Sequence, residues 1–478
     1  MYISFLLPYN IRHTKAPFLW VFYKQLSNFK IDEVFYIGNE DYFVSSKAYH
    51  DRDECSEESQ YVQGYGIPTD TTLENLHKGI IDKLIFKELE EKFDSYTQIY
   101  RYLLTTRYKP LEDELEKIFS TVSKENSIDA ILSWCNMPSL QIIADKYNIK
   151  VIYNELGPIR LGKVFATEFS YFDFSGVNGN TESLKRYKAA SFYHNRLLSH
   201  EEILTLLVQE DYLHTLFQKQ EPIYEVGIVL QVEDDSNILS FSNALDNDKL
   251  INLINNTFSK DEILIRPHPA GHEKYDKYGI IDTSHTSIEF IRKCRRIVTI
   301  NSSVSLEAIL LKKATYILGE SPISFLGYNT FDITLEKYAV PDIKEKLNFI
   351  VFNYLIPRDF LFKDSYYKFR LDNPSEDDIY NKHLKYLSDL KEILIKPSSS
   401  MESMIFSKYI DRQQFIHDRM AKEKEQELQE KEQQLQHYES EIQKLIEYNQ
   451  ELIEIADSMR VKNRIKTIFN IRKKVDNS

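Results

Sequence analysis

The sequence predicts an α/β protein with two parallel-sheet units in tandem, facing a cleft. Three observations lead there. Short apolar runs alternate with helical stretches through the first half, which implies a parallel sheet with helical crossovers. The same alternation restarts after Gln218 to Pro222. The apolar runs lack a strict in-out pattern, as strands buried on both faces do.

In the first unit, residues 1–220, Tyr2 to Leu7 and Glu33 to Ile37 read as strands around a helix from Phe18 to Phe29. Residues 50–60 are polar and read as a loop. A long helical region is expected from Leu73 to Ser123, interrupted near Pro110. Strand Ile128 to Ser133, helix Pro138 to Tyr147 and strand Lys150 to Tyr153 follow. Residues 181–220 read as helical. In the second unit, residues 221–397, an apolar run from Val226 to Leu230 leads to the acids Glu233, Asp234 and Asp235. A helix is expected from Asp246 to Phe258. Strand Glu262 to Ile265 ends in Arg266-Pro-His-Pro269. Beyond a helix at Ser287 to Cys294, strand Arg296 to Ile300 ends in Asn301-Ser-Ser303. Helix 304–312 and strand Thr315 to Leu318 complete the pattern.

Composition limits the function classes. The 478 residues allow two or three domains, and 42% hydrophobic residues allow large cores. A net charge of −13 argues against a protein that coats nucleic acid, since phosphate neutralisation needs clustered Lys and Arg. Cys55, Cys135 and Cys294 fit no zinc spacing and read as reduced, structural thiols. The apolar start, Met1 to Leu7, precedes its first basic residues, the reverse of a signal peptide. No run reaches the ~18 apolar residues of a membrane span.

Ligands of open α/β sheets bind at the carboxyl ends of the strands. The ends above therefore carry the candidate chemistry. The acids after Leu230 read either as an exposed acidic turn with a helix cap or as charge at a substrate site. His268 lies between two prolines that restrict its backbone. Asn301, Ser302 and Ser303 precede a helix, where hydroxyls and backbone N–H groups cap it or hold an anion, with Glu307 in its first turns. In the first unit, Asn136 and Asn154 follow strands and face the crevice. For Glu155, just before Gly157-Pro158, a surface carboxylate and a site role are both open. The glycine fingerprint of dinucleotide sites and the Walker loop are both missing from the sequence.

Taken in order and spacing, Gln231-Val-Glu-Asp-Asp-Ser-Asn-Ile238, Arg266-Pro-His-Pro269 and Asn301-Ser-Ser-Val-Ser-Leu-Glu307 resemble the capsule-polysaccharide Kdo transferase superfamily. That superfamily includes the retaining β-Kdo transferases of capsule and O-antigen assembly, and the resemblance spans roughly residues 1–395. It implies a GT-B-like fold of two Rossmann-like domains, with an acceptor-side first domain. A CMP-sugar donor would sit on the second domain, against Gln231, Glu233, Arg266, His268, Asn301, Ser302, Ser303 and Glu307. Asp235 matches the family's catalytic Asp, with Asp234 in reserve. His268, Ser302 and Ser303 would hold the CMP phosphate. Glu155 would act as general base, with Asn136 and Asn154 on the acceptor side. No cofactor or metal is implied: Glu233 to Asp235 could bind Mg²⁺, but a nucleoside monophosphate leaving group does not require it. Two rivals stay open, a CMP-sialic acid or other CMP-nonulosonate transferase and a non-catalytic scaffold of a glycan assembly complex.

After Pro397-Ser-Ser-Ser400 the composition changes to Glu, Gln, Lys and Leu. Leu428, Leu435, Ile442, Asn449 and Ala456 recur every seven residues, beside Tyr438, Leu445, Leu452 and Met459. Over residues 401–459 this predicts a coiled coil and a homodimer. A single charged helix is the other reading. From 460 to 478, Val461, Ile465, Ile468 and Phe469 share a face among Lys462, Arg464, Lys466 and Arg472 to Lys474. That pattern predicts attachment to an anionic membrane surface, here the inner membrane reached from the cytoplasm, where a lipid-linked glycan acceptor would lie.

Overall fold

The computed structural model describes residues 1–11, 14–162, 164–191, 197–218, 220–271, 274–334 and 340–394, then 440, 442–444, 450, 455 and 457–468. The chain divides into two compact units, Met1–Tyr409 and Ile410–Ser478.

The first unit holds two sheets. Strands β1 (Tyr2–Phe5), β2 (Val34–Gly38), β3 (Lys78–Ile80), β4 (Ala130–Ser133) and β5 (Val151–Leu156) pair in parallel, and β6 (Phe169–Asp173) runs antiparallel beside β5. Strands β7 (Tyr224–Val229), β8 (Ile263–Arg266), β9 (Ile280–Ile281), β10 (Cys294–Thr299) and β11 (Ala314–Ile317) form an all-parallel sheet in the order β11-β10-β7-β8-β9.

Both sheets are buried on both faces, which is why their strands read as continuous apolar runs. In the second sheet, Val226, Ile228, Ile263 and Ile265 pack on the helix Asn247–Asn255 through Leu250, Ile251 and Ile254. Val229, Leu264 and Ile297 face the other way, onto Phe290, Ile291, Leu306 and Ile309. Each fully buried side chain of this size contributes about 1.5–3 kcal/mol. The first sheet repeats the scheme, with Ile3, Ile37 and Ile131 against Leu103, Leu115 and Leu140, and Tyr2, Tyr36 and Ile152 against Leu19, Phe22 and Tyr367.

Beyond β11 the chain returns to the first sheet. Strand β12 (Leu355–Pro357) pairs antiparallel with β6, Ile356 opposite Ser170. Tyr2 donates its hydroxyl to Asp364 at 2.9 Å. The last strand of the second sheet thus ends at Ile317, and residues 355–371 complete the first. The sequence placed them in the second unit, because a three-residue strand is too short to show a pattern.

The expected helix from Leu73 to Ser123 is instead a series of short elements that includes strand β3. Pro110 opens the helix Lys109–Glu125 rather than interrupting one, since the first turn needs no N–H from it. The polar stretch after residue 50 contains the helix Glu57–Gln63, whose cap Ser56 accepts from the Ser59 N–H. Cys135 and Cys294 are free and buried, and burial pushes both thiols up to about 12.

In the second unit, residues 457–468 are helical, with Met459, Val461, Ile465 and Ile468 all more than half exposed. Ile442 is exposed as well. The other heptad positions, Leu428, Leu435, Tyr438, Leu445, Asn449, Leu452 and Ala456, lie outside the described residues, as do Phe469 and Arg472 to Lys474. Among the described residues, no helix is long and apolar enough to cross a membrane.

Candidate active site

Register brings the three strand ends of the second sheet together. Val229 of β7 stands opposite Arg266 of β8 on one side and Thr299 of β10 on the other. The segments that follow leave the same edge side by side. Gln231, Asp235, Arg266, His268, Asn301, Ser302 and Ser303 line one cavity of about 390 Å³. The first sheet supplies Glu155 and Leu156 from the end of β5, with Arg160, Tyr171 and Asn178.

Asp235 has two roles in the geometry. It is the N-cap of the helix Ser236–Phe241, accepting the Asn237 N–H at 2.8 Å. It also borders the cavity, so capping and charge at a site hold together. Glu155 lies within β5, not after it, and Oε1 accepts the Leu156 N–H at 2.7 Å. Burial is the main force raising its carboxyl to about 7. The charge of Asp235 adds to that rise, while the Leu156 N–H and Arg160 oppose it. Glu155 is half-buried and lines the cavity. Two carboxylates from different sheets thus converge, one of them poised to carry a proton near neutrality.

The remaining groups are set by their partners. His268 Nδ1 accepts the Ala270 N–H at 3.0 Å, which leaves the proton of a neutral ring on Nε2. Arg266 donates to Asp282 and to the Ser284 carbonyl. Ser302 Oγ accepts the Val304 N–H at 3.4 Å, whereas Ser303 caps its helix without a side-chain hydrogen bond. Asn301 donates its N–H to Gln231 Oε1 at 3.2 Å, and its Nδ2 faces the carbonyls of Asn237, Phe241 and Glu320. Glu307 stands behind the wall and accepts from Ser287, which does line the cavity. Burial pushes Glu307 up to about 7, against the pull of Ser287 and of Arg266.

Several expected site residues are elsewhere. Glu233 accepts the Tyr275 hydroxyl at 2.9 Å and is off the cavity wall, as is Asp234. Asn136 does not face the crevice: its amide pairs with both the N–H and the C=O of Val177, each at 2.9 Å. Asn154 is buried between the Tyr171 carbonyl and the Tyr367 hydroxyl. Both asparagines satisfy backbone or hydroxyl groups that burial would otherwise leave unpaired. The sequence reading passed over Arg160, Asn178, Ser287 and Ser321, all on the wall. Arg160 had a signal, since it follows the Gly157-Pro158 turn at a strand end. The others come from loops with no motif. Among the described residues, no group of three or more His, Cys, Asp or Glu side chains could hold a metal.

Comparison with known proteins gives a partial family match. No curated protein matches the chain. Among solved structures, a beta Kdo 2,7 transferase KpsC of Thermosulfurimonas dismutans is 17% identical, with a TM-score of 0.40 over 56% of this chain and 90% of that one. A beta Kdo 2,4 transferase KpsC of the same organism is 14% identical, with a TM-score of 0.36 over 54% and 95%. The spinosyn rhamnosyltransferase SpnG is 9% identical, with a TM-score of 0.28 over 86% and 96%. With TM-scores this low, these likenesses carry no argument. Residues 4–182 match the glycosyltransferase 99 family N-terminal domain, which accords with the transferase superfamily that the strand-end motifs resemble.

Proposed function

We propose that the protein is a GT-B-like glycosyltransferase that moves Kdo from CMP-β-Kdo to a bacterial surface glycan, with retention. The observation that supports this most is the convergence of Glu155 and Asp235 on one cavity with His268, Ser302 and Ser303. In the first displacement, Asp235 attacks the anomeric carbon, the bond to the phosphate oxygen breaks, and CMP leaves with that electron pair. His268 Nε2–H and the hydroxyls of Ser302 and Ser303 hold the phosphate as its charge grows. In the second, the acceptor hydroxyl attacks the same carbon. Its proton passes to Glu155, and the bond to Asp235 breaks. The anomeric carbon carries a carboxylate and no hydrogen, so both transition states are strongly oxocarbenium-like, and the Asp235 carboxylate stabilises them electrostatically.

The tail is proposed to pair two copies and to rest on an anionic membrane surface. The exposed face of Val461, Ile465 and Ile468, flanked by Lys462, Arg464 and Lys466, supports the second part. Incubation with CMP-Kdo or CMP-sialic acid and a glycan acceptor tests the donor. Release of CMP coupled to transfer is expected with CMP-Kdo. Turnover only with CMP-sialic acid would move the assignment to a nonulosonate rival, and no turnover with any CMP-sugar would favour a scaffold.

A further inference from the structure

The cavity contains a cation to which the mechanism above gives no task. Arg160 lines it beside Glu155 and Tyr171, with its side chain 47% exposed. Its backbone is well anchored. The Gly157 N–H donates to the Phe169 carbonyl at 3.0 Å, the Phe169 N–H donates to the Ile159 carbonyl at 3.1 Å, and Ile159 is fully buried. Its guanidinium is loosely held. The ion pair with Glu168 is long, 3.7 Å, and Glu168 is held closer, at 2.5 Å, by Arg358. Arg160 makes no hydrogen bond to a described side chain or carbonyl. A fixed base with an uncommitted planar fork is suited to bidentate capture of a carboxylate.

The charge balance of the site indicates which carboxylate. Glu155 and Asp235 face the same cavity, and the charge of Asp235 disfavours ionisation of Glu155. The proposed donor adds a third carboxylate directly on the anomeric carbon, between those two acids. Three anions in one cavity repel one another unless a cation is placed among them. The wall carries two arginines, Arg160 and Arg266. Arg266 is committed to Asp282, whose side chain is fully buried, and to the Ser284 carbonyl. His268 already takes the Ala270 N–H on Nδ1 and has the phosphate on its other side in the proposed mechanism. Arg160 lies on the Glu155 side and acts electrostatically on both Glu155 and Glu307.

We propose that Arg160 is the binding residue for the sugar carboxylate, and that it selects CMP-activated 2-keto sugar acids as a class over donors with a neutral anomeric centre. The assignment rests on the donor reading given above. It concerns the acid group that Kdo and sialic acid share, so it does not separate those two sugars.

The test compares wild type, Arg160→Gln and Arg160→Lys as full-length chains. Initial rates with CMP-Kdo are measured alongside competitive inhibition by CMP, which has the phosphate but no sugar carboxylate. Losing a charge-assisted bidentate contact lowers kcat/KM for CMP-Kdo roughly 10–100-fold in Arg160→Gln. The inhibition constant of CMP stays within about twofold, because the nucleotide contacts do not include Arg160. Arg160→Lys regains part of the loss, as a single charge without the fork should. Equal weakening of CMP and CMP-Kdo would overturn the proposal, since Arg160 would then serve the phosphate or the fold. An unchanged kcat/KM in Arg160→Gln would overturn it too. Wild type that turns over neither CMP-Kdo nor CMP-sialic acid overturns the donor reading and this assignment together. Wild-type turnover with an indifferent Arg160→Gln overturns the assignment alone.

Discussion

Asn178 donates its side-chain N–H to Ser236 Oγ at 3.1 Å, joining the first sheet's loop to the residue directly after Asp235. That loop is held at several points. Asp173 accepts the N–H groups of Ser175 and Glu182, and Asn136 grips Val177. At Gly179 a Cβ would approach the Phe241 ring to 2.3 Å, so only glycine lets the loop pack on the helix that Asp235 caps. Asn178 itself sits at φ 62°, which Asn and Gly tolerate. The first sheet's loop thereby helps fix the helix that Asp235 caps.

Asn178→Gly keeps that backbone and removes the contact. It is expected to lower kcat about tenfold through misplacement of Asp235, with CMP affinity unchanged. Ser236→Ala should give a similar loss, and the double variant little more. Additive losses in the rate measurements would mean that the contact does not position the acid.

Asp235→Ala should abolish transfer by several orders of magnitude and leave CMP binding largely intact, as for a covalent nucleophile. Rates and calorimetry on one preparation check both halves. If Asp234→Ala is the dead variant and Asp235→Ala retains activity, the acid is misassigned.

His268→Ala, and separately the double change Ser302→Ala/Ser303→Ala, should weaken CMP binding. Each lost charge-assisted contact to the phosphate costs about 1.5–3 kcal/mol. Unchanged affinity in calorimetry would make these strand ends framework only.

The raised carboxyls of Glu155 and Glu307 carry a pH signature. Both move from an ordinary 4.5 to about 7 on folding. Between those values the folded chain binds more protons than the unfolded one, so stability from these groups falls as pH rises. Melting temperatures of Glu307→Gln should therefore decline less than wild type between pH 5 and 8. For catalysis the sign reverses: Glu155 accepts a proton in its charged form, so kcat should rise with pH through about 7. A wild-type rate that is flat across that range would remove Glu155 as the base.

A chain ended at residue 409, the limit of the first compact unit, should still transfer Kdo to a soluble acceptor. It should sediment as one chain and ignore anionic vesicles, while the full chain sediments as two and binds them. A full-length monomer indifferent to vesicles would remove the proposed roles of the tail.

Much of the architecture was legible because strands buried on both faces leave unbroken apolar runs, and helix Pro138–Tyr147 was read to the residue. The strand ends of the second sheet were legible for the same reason: β7, β8 and β10 end in register, so sequence order became adjacency. Strands β3 and β12 were not, being three residues each. Side-chain direction was also hidden. Glu233 differs from Asp235 by two positions, yet one meets Tyr275 and the other the cavity. Asn136 and Asn154 looked like site residues because they follow strands, but buried backbone and hydroxyl partners claim them.

The most direct test of the proposed mechanism is mass spectrometry of the protein quenched with acid shortly after mixing with CMP-Kdo. A covalent intermediate predicts a Kdo adduct on the peptide that contains Asp235, absent in Asp235→Ala and lost when acceptor is added. No adduct at any time, together with a transferred Kdo whose anomeric configuration is inverted, would contradict the account.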